Sequence, residues 1–310
     1  MPLSPDISVQ LGTLQLSNPV IAASGTFGYG LEFIPFVDLN RLGGFCTKGL
    51  SLKPKEGNPV PRVFETASGM LNAIGLENIG LDKFRDEKLP QLTDFRTCLI
   101  VNFFGNTAGE YADMARQLSQ LDRVDALEMN ISCPNVEEGG VAFSSSPRIV
   151  EQVVKAVRPA TDKFLMVKLS PNVTDIREIA RAAEAAGADA VSLINTQIGM
   201  ALDLETGKPY LANVSGGLSG PAIKPIALHM VYQVSQAVKI PVVGIGGIRN
   251  ADDALEFIMA GASAIQVGTA NFYDPSVTVK IVDGISSWCA AKGISRLQDI
   301  RGRGKLDQGR

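Results

Sequence analysis

Short apolar runs recur along the chain, and each is followed by a stretch in which apolar residues return at helical spacing. The runs are residues 19–25, 43–49, 98–105, 126–132, 164–170, 190–196, 241–247 and 264–270. Strands that are apolar on both faces are typical of parallel sheets covered by helices. Eight such units favour a closed (β/α)8 TIM barrel. An open doubly wound sheet is the second candidate, but no GxGxxG motif follows the first strand.

The segments between the runs carry helix signals. Residues 174–187 have Thr174 as a predicted N-cap and a glycine at the end. Residues 250–261 begin with Asn250 as cap and have acidic residues in the first turn. The sequence therefore predicts helices over both ranges.

Three further segments have a predicted place in this architecture. Residues 7–16 alternate in polarity around a turn, which predicts a β-hairpin that caps the N-terminal mouth of the barrel. Residues 50–80 and 197–223 are too long for plain connections, and we expect them to form long βα loops over the active site. No shift in composition divides the chain, so residues 1–310 are expected to form a single domain.

Composition excludes several classes of protein. A content of 45% hydrophobic and 20% charged residues allows a large core. The net charge of −3 argues against binding to nucleic acid or anionic lipid. We expect a soluble cytoplasmic protein, since no signal peptide or membrane-spanning run is present. Four scattered cysteines without a CxxC pair argue against a disulfide framework, a metal site or an iron–sulfur site in this chain.

Glycines follow the seventh and eighth predicted strands. Gly246 and Gly247 end one motif, and Gly268 with Thr269 ends the other. Either pair alone is equally compatible with a tight strand-to-helix turn. Because barrels frequently bind phosphate after these two strands, the positions favour a phosphorylated ligand.

Carboxamides occupy several other strand ends, where carboxylates are almost absent. Asn102, Asn130 and Asn195 end the third, fourth and sixth strands, and Asn72 lies in the first long loop. Asparagine often only forms a turn, but four at one mouth suit a planar, uncharged heterocycle with imide and amide edges. The only histidine, His229, lies in a predicted helix as a packing or surface residue, so the chemistry must use another group.

Lys48 and Lys168 end the second and fifth strands. Two functions remain open for lysines at this mouth: Schiff-base catalysis, or stabilisation of an anionic ligand or cofactor. A surface lysine is a plausible interpretation for Lys48. It suits Lys168 less well, because Lys168 is embedded in an apolar run.

The four cysteines divide into two groups. Cys46 and Cys98 lie in strands and Cys289 in a late helix, and core packing is expected for all three. Cys133 lies in the polar turn NISCPN, followed by Pro134. A thiol with an ordinary pKa of about 8.5 can accept a proton where its surroundings favour the thiolate.

These residues fall in motifs that resemble the dihydroorotate dehydrogenases, the FMN-containing barrel enzymes of pyrimidine synthesis. The resemblance extends from NPVIAASGTFG (18–28) to VGTANFYDP (267–275). Its markers are TKGL (47–50), NAIGLEN (72–78), NISCPNVEEGG (130–140), VKLSPN (167–172), INT (194–196), GLSGPAIKP (217–225) and GIGGI (244–248).

The resemblance implies a role for each matched position. One FMN per chain would be held by Ser24, Lys48, Gly49, Asn102, Asn130, Lys168, Ile194, Gly220, Gly246, Gly247, Gly268 and Thr269. The pyrimidine would be held by Lys48, Asn72, Ala73, Ile74, Gly75, Leu76, Asn130, Asn135, Asn195 and Thr196. Cys133 would be the catalytic base in the oxidation of dihydroorotate to orotate, with Lys168 stabilising reduced FMN.

The resemblance also implies a subclass. A cysteine in the base position, and no N-terminal helical extension, are similar to the soluble class 1 enzymes. NAIGLEN and NVEEGG look more like the NAD-linked class 1B than the fumarate-linked class 1A. Class 1B implies a homodimer of this chain that joins subunits bearing FAD and a 2Fe–2S cluster in a heterotetramer.

Three alternatives stay open from the sequence: the fumarate-linked homodimer, a Schiff-base aldolase that uses Lys168 or Lys48, and a barrel that binds a phosphorylated ligand without catalysis.

Overall fold

A computed structural model describes residues 4–132, 134–135 and 141–304. The strands are β1 (Val9–Leu11), β2 (Leu14–Leu16), β3 (Val20–Ala22), β4 (Gly44–Cys46), β5 (Val63–Thr66), β6 (Gly69–Asn72), β7 (Cys98–Phe103), β8 (Ala126–Asn130), β9 (Pro134–Asn135), β10 (Val141–Ala142), β11 (Phe164–Leu169), β12 (Ala190–Leu193), β13 (Gln197–Gly199), β14 (Gly216–Ser219), β15 (Val242–Ile245) and β16 (Ala264–Val267). The α-helices are α1 (Leu81–Lys83), α2 (Ala108–Ser119), α3 (Pro147–Val157), α4 (Ile176–Ala185), α5 (Lys224–Ala237), α6 (Ala251–Ala260), α7 (Ala270–Tyr273) and α8 (Val277–Ala291).

Eight parallel strands close into a barrel in the order β3-β4-β7-β8-β11-β12-β15-β16. The last strand pairs with the first, with Ile265 opposite Val20, so this sheet has no free edge. Each barrel strand lies inside one of the eight predicted runs. The predicted (β/α)8 barrel is therefore confirmed, and the open doubly wound sheet is wrong.

Amphipathic helices cover the outside of the barrel. Helix α3 buries Ile149, Val150, Val153, Val154 and Val157, which recur at the three- and four-residue spacing of one helical face. This face removes apolar side chains from water and supplies much of the driving force for docking the helix on the sheet.

The two predicted helices form with one correction at a cap. Helix α6 begins after Asn250, whose side chain accepts a hydrogen bond from the backbone N–H of Asp253, as predicted. Helix α4 begins later than predicted, because Asp175 and not Thr174 accepts the capping hydrogen bond from the Arg177 N–H. Aspartate ranks above threonine as an N-cap residue, so residue type favours the observed cap.

The hairpin lies at the N-terminal mouth, as predicted. Strands β1 and β2 are antiparallel, and Leu11 and Leu16 are buried. A Cβ at Gly12 would lie 3.3 Å from the ring of Phe164, the residue that begins β11. The hairpin therefore covers the end of the barrel at which the strands begin.

The two long connections are more ordered than loops. Both contribute strands to an antiparallel sheet in the order β13-β14-β6-β5, in which Asn72 lies opposite Gly217. We call this sheet the lid sheet. It brings residues about 145 positions apart in the chain to one side of the barrel mouth. Within the described ranges, no helix has the length and apolar character needed to span a bilayer.

Candidate active site

A cavity of about 780 Å³ lies at the C-terminal mouth of the barrel. All eight barrel strands contribute lining residues within two positions of their C-terminal ends. Its size falls within the range of small-molecule and cofactor sites.

The cavity brings the predicted positions together. The residues predicted to contact the cofactor all line it: Ser24, Lys48, Gly49, Asn102, Asn130, Lys168, Ile194, Gly220, Gly246, Gly247, Gly268 and Thr269. Those predicted to contact the pyrimidine also line it, with one exception: Lys48, Asn72, Ala73, Ile74, Gly75, Leu76, Asn130, Asn195 and Thr196. The exception, Asn135, is described only as a residue of β9, opposite Val141. Cys133 lies outside the described residues.

One end of the cavity is shaped by the glycine turns. Gly246 has φ of 134° and Gly247 has φ of 72°, a region that favours glycine. A Cβ at Gly247 would approach the Lys224 Cβ to 2.7 Å. Among the described residues, the backbone N–H groups of Gly246, Gly247, Gly268 and Thr269 donate to no acceptor. Four free donors around one concave surface fit a phosphate group.

The carboxamides form a connected cluster on another wall. Asn195 Nδ2 donates to Ser132 Oγ at 2.9 Å and to Asn130 Oδ1 at 3.4 Å. The Tyr111 hydroxyl donates to the backbone oxygen of Asn130 at 2.6 Å and ties the cluster to α2. These contacts fix the orientation of both carboxamides, which suits recognition of a ring with defined donors and acceptors. Ser132 was missed by the sequence analysis, although it lies inside the NISCPN motif.

A second missed residue, Glu128, is fully buried beneath the cavity. Its carboxylate accepts hydrogen bonds from Asn102 Nδ2 at 2.7 Å, Ser192 Oγ at 2.9 Å and Gln266 Nε2 at 2.6 Å. Burial first, and then the negative charge of Glu128, raises the pKa of the Cys46 thiol well above its ordinary value. The available signal was spacing: Glu128 precedes Asn130 by two residues in a strand, so both face the barrel interior.

The two lysines have different surroundings. Lys168 is 7% exposed, and its Nζ lies 3.8 Å from Glu128 Oε1. Within the described ranges the Lys168 ammonium donates no hydrogen bond, so its N–H groups are available to a ligand in the cavity. Lys48 is half-buried and lines the same cavity, which argues against a purely surface role for it.

Other lining residues were not among the predicted set. Arg62 and Glu77 belong to the first long connection and form an ion pair at the cavity edge. Ser219 of the lid sheet accepts a hydrogen bond from Thr269 Oγ1 at 2.8 Å. No strand-end rule identifies Arg62, Glu77 and Ser219, since they lie in the two segments predicted to be long loops.

The residues predicted to lie outside the chemistry do so. Cys46, Cys98 and Cys289 are buried free thiols, as expected. His229 is exposed on α5 and does not line the cavity. The cavity is therefore lined without imidazole from the only histidine of the chain.

Comparison with known proteins identifies the group to which the chain is similar. A family model described as "Dihydroorotate dehydrogenase" matches residues 6–288. A protein of Trichlorobacter lovleyi, named dihydroorotate dehydrogenase B (NAD(+)), catalytic subunit, is 58% identical over 300 residues, or 97% of this chain and 99% of that protein. Proteins of the same name from Geobacter sulfurreducens and Bacteroides thetaiotaomicron are 57% and 56% identical, each over 96% of this chain and 98% of theirs. The chain belongs to the dihydroorotate dehydrogenase family.

Proposed function

We propose that the protein oxidises dihydroorotate to orotate in pyrimidine synthesis, with one FMN bound in the barrel mouth. The observation that carries this is the single cavity in which a cradle of free backbone N–H groups and a cluster of oriented carboxamides lie together. Neither feature is specific by itself. In a member of this family, the N–H groups suit the phosphate of the cofactor and the carboxamides suit the pyrimidine.

The residues present fit FMN. The phosphate would be held by the glycine turns at Gly246–Gly247 and Gly268–Thr269, which line the cavity and have free backbone N–H groups. Lys168 offers buried ammonium donors to a group that becomes negative on reduction. Ser24, Lys48, Gly49, Asn102, Asn130, Ile194 and Gly220 would complete the cofactor contacts. When bound, FMN supplies the acceptor for a hydride.

The pyrimidine ring would be gripped by carboxamides. Asn72, Asn130 and Asn195 would present donors and acceptors to the ring edges. Lys48, residues 73–76, Asn135 and Thr196 would complete the predicted set. A ring held on several edges is oriented for reaction before any bond changes.

Cys133 would act as the base. It would take the proton from C5 of dihydroorotate while the hydride leaves C6, so that a C5–C6 double bond forms. Cys133 lies outside the described residues, and the support for this role is its sequence position between Ser132, which touches Asn195, and Pro134.

We further propose the NAD-linked arrangement. The relatives above are named as catalytic subunits of an NAD(+) enzyme, which supports a partner subunit for this chain as well. FAD and a 2Fe–2S cluster would reside on that partner, and two copies of each chain would form a cytoplasmic heterotetramer. Electrons would then pass from FMN through the partner to NAD+.

Anaerobic spectroscopy tests the proposal. The purified chain is expected to be yellow from bound flavin and to bleach when dihydroorotate is added without air. Cys133→Ala is expected to keep the flavin and lose most of the bleaching rate, while Cys289→Ala, which removes a buried thiol of α8, keeps both. A colourless wild-type protein would refute the function, and wild-type bleaching in Cys133→Ala would refute the role of the thiol.

The electron acceptor has its own test. Turnover of the isolated chain with fumarate, with no gain from a partner subunit, would contradict the NAD-linked arrangement. Turnover with NAD+ that requires the partner subunit is the expected result.

A further inference from the structure

A charged residue that the proposed chemistry does not use lies inside the barrel. Glu128 is 0% exposed, and its carboxylate accepts hydrogen bonds from side chains of three other barrel strands, β7, β12 and β16. Burial of a carboxylate is costly unless it is paired and hydrogen-bonded, so its retention here calls for a reason. A barrel core could otherwise be filled with apolar side chains.

The contacts describe an ionised carboxylate. An ionised carboxylate can only accept hydrogen bonds, and Glu128 accepts three, from Asn102, Ser192 and Gln266. The Lys168 ammonium at 3.8 Å supplies an opposite charge. The group is therefore satisfied as an anion.

Two of the residues tied to Glu128 also face the cavity. Asn102 and Lys168 line it, whereas Ser192 and Gln266 do not. Glu128 itself does not line it either. The carboxylate thus connects two cavity-facing groups, on the strands either side of its own, through contacts made below the cavity floor.

We propose that Glu128 is a positioning residue that sets the reduction potential of the bound flavin. It holds the Asn102 carboxamide by a direct hydrogen bond and partly offsets the positive charge of Lys168. This inference rests on the proposed FMN site. Charge near a flavin shifts its potential, because the reduced form carries more negative charge than the oxidised form.

The expected sign follows from this charge balance. Removing the carboxylate removes a negative charge below the cavity and leaves the Lys168 ammonium without its counter-charge. Both changes stabilise reduced flavin relative to oxidised flavin. A unit charge buried near the ring system is expected to change the ratio of reduced to oxidised flavin on the order of tenfold, or about 30 mV for a two-electron couple.

The test compares three variants of the flavin-loaded protein by reductive titration against a reference dye. Glu128→Gln is expected to favour reduced flavin by about tenfold. Ser192→Ala removes one donor to the carboxylate but keeps its charge, and is expected to leave the ratio within about twofold of wild type. The titration uses photoreduction, so its result does not depend on activity with dihydroorotate.

The third variant guards against misfolding. Glu128→Gln leaves donors unsatisfied in a buried layer, which can destabilise the barrel. The double variant Glu128→Gln/Gln266→Glu exchanges two hydrogen-bonded side chains, so the same groups remain while the carboxylate moves to β16, away from the strand next to Lys168. It is expected to fold and to shift the ratio in the same direction by a smaller factor.

The outcomes separate the two proposals. A wild-type protein that binds no flavin overturns both. A wild-type protein that binds flavin and is bleached by dihydroorotate, with unchanged ratios in Glu128→Gln and in the exchange variant, overturns only the role of Glu128. If Glu128→Gln and the exchange variant both fail to fold, the proposed role of Glu128 is also overturned, because the carboxylate would then be needed for folding.

Discussion

Gly247→Ala is the sharpest test of the phosphate cradle. Gly247 has φ of 72°, and its missing Cβ would lie 2.7 Å from the Lys224 Cβ and 2.9 Å from the Gly220 backbone oxygen. The backbone oxygen cannot swing aside as the end of a flexible side chain can. The turn must therefore shift, and the N–H groups that it presents to the cavity must shift with it.

The chain offers a matched control in Gly207. Gly207 has φ of 69°, close to that of Gly247, but a Cβ there would meet nothing within 4 Å. The left-handed conformation costs about 1–2 kcal/mol for an alanine at either site. Only Gly247→Ala adds overpacking, of about 1–3 kcal/mol. The difference between the two variants isolates the steric contact.

The effect on flavin binding can be estimated from the hydrogen bonds at risk. Loss of one hydrogen bond to a charged phosphate is worth about 1.5–3 kcal/mol. Since each 1.4 kcal/mol is a factor of ten, the Kd for FMN is expected to rise roughly 10- to 150-fold in Gly247→Ala. Gly207→Ala is expected to bind FMN as the wild type does.

The assay is titration of the apoprotein with FMN, followed by flavin fluorescence, with guanidinium unfolding of each apoprotein as the measure of stability. Wild-type affinity in Gly247→Ala, combined with the expected loss of stability, would refute the assignment of this turn to the phosphate. Equal loss of affinity in both variants would show that strain, and not the cradle, controls binding.

Two further predictions concern side chains outside the cavity. Burial raises the pKa of the thiols of Cys46, Cys98 and Cys289. None of the three is therefore expected to react with a disulfide reagent at pH 8 until guanidinium is added. Rapid labelling of any of them in the native protein, located by peptide mass spectrometry, would contradict their burial. Hydrogen bonds from the Arg177 side chain, and then from its backbone, lower the pKa of Asp175 from 3.8 to about 2. The stability that Asp175 contributes is therefore present above pH 4 and lost as the pH falls through about 2. Asp175→Asn is expected to flatten the acid dependence of unfolding between those values, and an unchanged slope would count against the cap.

The strands were predictable because their signal is local. Eight runs of apolar residues, each within a few positions of its observed strand, are what a buried parallel sheet requires. The polar residues at the strand ends were predictable for a related reason: a closed parallel barrel brings all its carboxyl ends to one mouth. Asn102, Lys168 and Gly246 could thus be placed around one cavity without knowing any distance.

The rest depended on contacts between distant parts of the chain. The pairing of Asn72 with Gly217 joins two segments that look like loops, because short strands with several glycines give little periodicity. Glu128 was not predicted because candidate residues were sought at the ends of strands, and Glu128 lies in the middle of β8. The N-cap of α4 is an exception, since aspartate ranks above threonine as a cap and local chemistry already favoured Asp175 over Thr174.

The chain is acidic overall, yet the proposed ligands are anions, and the local charge of the cavity explains how both can hold. The chain carries a net charge of −3, yet among the residues that the structure describes, four cationic side chains and two carboxylates line the cavity: Lys48, Arg62, Lys168, Arg249, Glu77 and Asp274. Both carboxylates have a cationic partner of their own, since Glu77 pairs with Arg62 and Asp274 with Lys280. Among the described residues, Lys48 forms no ion pair, and Lys168 shares only the carboxylate beneath it. Local charge, not net charge, decides what a narrow cavity attracts, so an acidic protein can hold a phosphate and a carboxylate-bearing pyrimidine at once.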